Sequence, residues 1–145
     1  MNYNEFIAIF NSEEEILETI IKERYGDDMK CKHCYSPKIH RRSDNPKVFM
    51  CKSCNNHFSA LKGTIFEYTS TDLRKWFYTI YVHHYAKRLN ALKLMEEIHV
   101  TYKTSWRMAH ILKTLKNRAD LRFLVRLREI IDERIAKHNP AVSNI

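Results

Sequence analysis

The chain contains four cysteines and no more, placed as two Cys-x-x-Cys pairs, CKHC at 31–34 and CKSC at 51–54, with sixteen residues between the pairs. Two residues inside a pair allow a turn tight enough for both sulfurs to reach one ion. Sixteen between the pairs suffice for a hairpin that returns the second beside the first. A tetrahedral zinc ion takes four deprotonated sulfurs in this way. Cys31, Cys34, Cys51 and Cys54 are therefore expected to hold one structural Zn2+, with no coordination position left for water or substrate. Two disulfides or four packed thiols are the competing readings, and nothing in the N-terminal sequence marks secretion, which disfavours disulfides. His33 and His57 flank the pairs, but the four-sulfur set is complete without them. Lys30, Lys32, Lys38 and Lys52 are expected to offset the negative charge of a tetrathiolate.

Two glycines and three prolines in 145 residues favour long helices over a turn-rich β fold, and 44% hydrophobic residues suffice for a core. No apolar run approaches a membrane span, so no membrane partner is expected, and a cytoplasmic location (nucleoid-associated in a bacterium) is. No small-molecule substrate is expected either. The net charge of +8 is unevenly placed: residues 1–28 hold eight acidic and two basic groups, and the remainder 23 basic and nine acidic. Such a basic body attracts polyanions, nucleic acid first among them.

In order, Tyr3, Phe6, Ile7 and Phe10 form one face of a short helix. Asn11 or Ser12 caps a second, with Glu13–Glu15 at its positive end and Gly26 ending it. Within the ribbon, residues 39–42, 48–50 and 57–60 read as strands, with a turn at 43–46. Arg41, Arg42 and Lys47 gather near the hairpin tip as candidate phosphate contacts, and Phe49 and Phe58 read as the small ribbon core. Ser70, Thr71 or Asp72 caps a helix whose apolar stripe is Leu73, Trp76, Phe77 and Ile80.

Asn90 caps a short helix from Ala91 to Ile98, His99-Val100-Thr101 form a turn, and Thr101 caps the helix that follows. Two helices joined by three residues match a helix-turn-helix. Its turn usually carries glycine; here His99 takes that place. In the second helix, at about 100° per residue, Met108, Ile111, Leu112 and Leu115 point inward, with Ser105 and Ala109 alongside. Lys103, Arg107, His110 and Thr114 share the opposite face, and Tyr102, Thr104 and Ser105 stand at the N-terminal end that meets DNA first. Trp106 lies on the flank. From Leu121 to His138 a broad apolar face implies burial against the body or against a second copy, as in a homodimer. This last helix either continues the one before it or starts afresh at Asp120, and Pro140 closes the structured region before a loose end.

With these residues placed, the chain resembles the N-terminal half of bacterial insertion-sequence transposases that begin with a zinc ribbon. The matching features, in order, are a helix ending in RYG, the two knuckles, HFSALKGTIF, LRKWFYTIYV and VTYKTSWRMAHIL, over about residues 3–115. The resemblance implies recognition of transposon-end double-stranded DNA, with zinc on the four cysteines and DNA reading on the helix holding Tyr102, Lys103, Thr104, Ser105 and Arg107. Members of that group continue into an RNase H-like nuclease domain with metal-binding acidic residues. Here Asp132 and Glu133 are adjacent on a helix and make no such site, so the expectation is a DNA-binding protein and not an enzyme. The alternatives are the DNA-binding part of a transposase whose catalytic half is on another chain, and a zinc-ribbon protein-interaction adaptor. The expected fold is mainly α with a small antiparallel β zinc ribbon: N-terminal helices over 1–28, the ribbon over 29–66, the helix-turn-helix over 67–118, and a C-terminal amphipathic helix and tail over 119–145.

Overall fold

The computed structural model of the protein describes residues 1–85 and 89–138. The expectations about Pro140 and a loose C-terminal end lie outside these residues. Among those described, the fold is mainly helical with a three-stranded antiparallel sheet: α1 (Tyr3–Ile9), α2 (Glu13–Tyr25), β1 (Ile39–Arg41), β2 (Val48–Cys51), β3 (His57–Ser59), α3 (Leu73–Tyr85), α4 (Ala91–Ile98), α5 (Tyr102–Lys113) and α6 (Arg118–His138). The chain divides into two compact units, one of residues Leu17–Ser70 and one of Met1–Ile16 with Thr71–Ile145. This division groups the first and last helices with α3–α5, where the sequence suggested four consecutive segments.

The unit Leu17–Ser70 is the ribbon with the helix that precedes it. The helix α2 ends as expected at Gly26, whose φ of +67° takes the left-handed conformation that closes a helix while its N–H reaches the carbonyl of Lys22 at 2.8 Å. The sheet has order β1-β2-β3, with Arg41 opposite Phe49 and Phe49 opposite Phe58. That register puts Phe49 and Phe58 side by side, ring centroids 5.6 Å apart, both buried, with Tyr25 edge-on to Phe49. These aromatics are the ribbon core that the sequence suggested. The ammonium of Lys32 lies 5.7 Å from the rings of both Tyr25 and Phe58, and burial, with Arg24 and Lys62 nearby, lowers its pKa.

The helical unit is organised around α3, which packs on α1, α5 and α6. In α1 the buried set is Tyr3, Phe6, Ile9 and Phe10; Ile7 is only half-buried, so the inward stripe runs through Ile9 instead. Its Phe6 stacks on Phe10 at 4.6 Å and meets Tyr78 of α3 edge-on at 5.4 Å. Besides the expected Leu73, Trp76, Phe77 and Ile80, α3 buries Tyr78, whose hydroxyl donates to the carboxylate of Glu97. Asp72 starts this helix, its Oδ1 accepting the N–H of Arg74 at 2.8 Å. The helix α6 is separate from α5, and its cap is Asn117, not Asp120: Asn117 Oδ1 accepts from Ala119 N at 2.8 Å. The face it buries is the narrow seam Leu124, Leu127, Ile131 and Ile135, against the broader one expected; Leu121 and Val125 stay exposed.

The connection between α4 and α5 follows the capping chemistry expected. Asn90 Oδ1 accepts from Leu92 N and Lys93 N at 2.9 and 3.2 Å, and Thr101 Oγ1 accepts from Thr104 N at 3.2 Å. His99 takes the left-handed conformation, φ 57° and ψ 53°. A side chain with a Cβ is strained there by about 1–2 kcal/mol. His99→Gly is therefore expected to raise stability by up to about 1 kcal/mol, and His99→Val to lower it, as read by the thermal midpoints of the three proteins.

Candidate metal centre and nucleic-acid interface

The two knuckles have the same backbone. In the first, Tyr35 N–H donates to Cys31 O at 3.0 Å and Cys31 N–H to Ser36 O at 2.9 Å; in the second, Asn55 N–H donates to Cys51 O at 2.9 Å and Cys51 N–H to Asn56 O at 3.0 Å. Tyr35 and Asn55, each just after its pair, share left-handed φ values of 60° and 59°. This repeated turn aims both sulfurs of each pair at one point, and Ser36 and Ser53 link the knuckles through their hydroxyls at 2.8 Å.

The Sγ atoms of Cys31 and Cys54 lie 3.6 Å apart, as do those of Cys34 and Cys51, and all four fall within 4.8 Å of one another. A tetrahedron with Zn–S bonds of about 2.3 Å has sulfur–sulfur edges of about 3.8 Å, so the cage fits zinc. Burial opposes ionisation of Cys51, but the backbone N–H groups of Cys54 and Ser53 and the neighbouring thiols bring it down to about 6. The N–H of Ser36 favours the thiolate of Cys34, yet burial and the crowd of Cys51, Cys54 and Cys31 push it up to about 12. Four sulfurs this close do not all ionise unaided, and a dication supplies the charge that keeps all four as thiolates. Backbone His33 N–H and Asn56 Nδ2 each approach a sulfur at 3.3 Å, donors that steady a thiolate. The centre is compatible with one structural zinc. Its ligands are the four cysteines, and His33 contributes its backbone rather than its ring.

The hairpin cations are less free than their sequence position suggested. Arg41 pairs with Glu18 and lies over Phe49 at 5.8 Å; Arg42 donates to Asp44 at 2.9 Å. Lys47 is half-buried, and its backbone bonds Asn45 and Ala60.

On α5, Tyr102, Lys103, Arg107 and His110 are exposed together, and Thr104 is half-buried at the capped end. Ser105 is a correction. It is fully buried and donates to Ala91 O at 2.8 Å and Tyr102 O at 3.0 Å, tying α5 to the start of α4; it is a structural residue, not one that reads bases. Thr114 lies beyond the helix as its C-terminal cap, exposed, with its hydroxyl donating to His110 O at 2.7 Å. Met108 and Leu112 are buried as expected, whereas Ile111 and Leu115 are half-buried. Trp106 is exposed and stacks on His110, ring centroids 4.6 Å apart. The sequence alone does not decide the surroundings of Trp106, although its four-residue spacing from His110 is the signal for such a pair.

Residues 11–57 match the transposase zinc-ribbon domain family. Over 106 residues the chain is 33% identical to an uncharacterized protein in transposable element ISH50 of Halobacterium salinarum. That alignment covers 70% of this chain and 35% of the relative, so the chain spans about a third of the length of the curated relative it matches. No solved structure matches. The N-terminal part of the protein is therefore similar to the zinc ribbon of transposases, and the similarity to an insertion-element protein extends well beyond the ribbon. Among the described residues no helix is long and apolar enough to cross a membrane.

Proposed function

We propose that this chain is a sequence-specific double-stranded DNA-binding protein related to transposases, in which α4 and α5 act as a helix-turn-helix and α5 enters the major groove. The observation that carries this reading is the exposed face of Lys103, Arg107 and His110 on α5, a helix capped by Thr101 and joined through the left-handed His99 to α4, which Asn90 caps. Arg107 donates to guanine edges and Lys103 to phosphates or bases, while the basic body supplies affinity that falls as salt rises. Arg42 and Lys47 of the hairpin add phosphate contacts once the Asp44 pairing is exchanged for a phosphate. No catalytic step is assigned to the described residues. A role as a regulator or as a binder of transposon ends fits this chemistry.

Arg107→Ala is expected to weaken binding to a selected duplex by about 1–3 kcal/mol and to a random duplex far less. Titrations of both duplexes at matched salt measure it; equal losses on the two would remove Arg107 from base reading. The relative's greater length favours a second reading, in which these residues serve a transposase whose catalytic region is carried elsewhere. Adjacent coding sequence with an RNase H-like acidic set would support that reading.

A further inference from the structure

The face of α5 assigned above to the duplex holds more than cations. Trp106 is 50% exposed and Tyr102 52%, whereas the only other tryptophan, Trp76, is 3% exposed. Packing does not require Trp106 here, because α5 buries Ser105, Met108, Ala109 and Leu112 on its other side. The indole lies nearly parallel to the His110 ring, with planes 10° apart, so its orientation is set before any partner arrives. On a helix advancing about 100° per residue, Tyr102, Trp106 and His110 span about 80° of arc, and Lys103 and Arg107 lie in the next 60° or so. An apolar plate thus sits beside a cationic edge.

A cationic helix in the major groove meets donors, acceptors and one apolar group, the C5-methyl of thymine. We propose that the stacked Trp106–His110 plate reads thymine through that methyl group, which makes Trp106 a specificity-determining residue beside Arg107. This rests on the reading that α5 faces a duplex. Lys103 next to the plate holds the phosphodiester edge while Arg107 donates to a guanine, which brings the groove floor to the indole; burial of the thymine methyl against the ring then discriminates it from cytosine and from uracil.

The test starts from a duplex selected out of a random pool by the full zinc-loaded chain. Each thymine in it is replaced singly by deoxyuridine, which removes the methyl and keeps the base pairing. At least one replacement is expected to weaken binding about fourfold, the worth of one buried methyl group. Trp106→Ala is expected to bind the two duplexes equally, and Trp106→Phe to keep part of the preference. Saturating duplex is also expected to change tryptophan emission in the wild type and not in Trp106→Ala. If the duplex is bound sequence-specifically but no deoxyuridine weakens it, or if Trp106→Ala keeps the full preference, this inference is overturned and the assignment of α5 to DNA stands. If no duplex is enriched, the DNA-binding reading itself fails and takes the inference with it.

Discussion

Removal of zinc is expected to unfold residues 29–66 and leave the helical unit largely folded. The ribbon has strands of only three and four residues, its sheet is covered by little more than Phe49, Phe58 and the ring of Tyr25, and its other buried apolar side chains, Ala60, Leu61, Ile65 and Phe66, all follow the last strand. So small an apolar cluster does not offset the conformational entropy of the loops around it. The metal supplies the difference, since structural zinc contributes apparent free energies of about 10–16 kcal/mol in small domains. Cys31 and Cys51 are fully buried, and without a cation they would leave polar or charged sulfur inside the ribbon. Cys51→Ser is expected to act like chelation, because a serine hydroxyl is a poor zinc ligand and remains buried. Amide exchange on the chelated protein reads the outcome: protection lost across 29–66 and retained in α3, α5 and α6. Unchanged protection in metal-free protein would show that the cysteines merely pack.

Phe6→Ala is expected to be the most damaging change outside the ribbon, at about 3–5 kcal/mol for a fully buried phenylalanine. Phe6 is entirely buried although it lies in a seven-residue helix near the N-terminus. It stacks on Phe10 and meets Tyr78 and Tyr81, so its loss opens a cavity beside α3. Because α3 also packs on α5, the damage reaches the helix proposed to read DNA. Denaturant melts of the helical unit and duplex binding should both weaken in this variant, while bound zinc stays at one per chain. A loss below about 1 kcal/mol would mean that α1 is a peripheral strap rather than part of the core.

Much of this was legible before any coordinates, for physical reasons that differ by region. The cysteine spacing announces a metal knuckle because two residues between ligands permit one kind of turn, and the structure repeats that turn twice. Asn90, His99 and Thr101 were readable because capping and left-handed conformations depend on neighbours within four residues. Burial that depends on distant partners was less so. Ile9, rather than Ile7, turns inward because α1 packs on α3 and α6, about 70 residues and more away, and a seven-residue helix states its inward face weakly. Ser105 stands both near the helix start that would meet DNA and alongside the inward face, and the packing of α4 on α5 decides between the two: its hydroxyl meets Ala91. The pairing of Arg41 with Glu18 joins residues far apart in sequence, and charge counting alone does not reveal it.

Selection from a random duplex pool by the zinc-loaded chain, repeated with chelated protein, tests the account most directly. Loaded protein is expected to enrich a defined sequence whose binding weakens steeply with salt. No enrichment by the loaded chain, or a complex indifferent to salt, would contradict it.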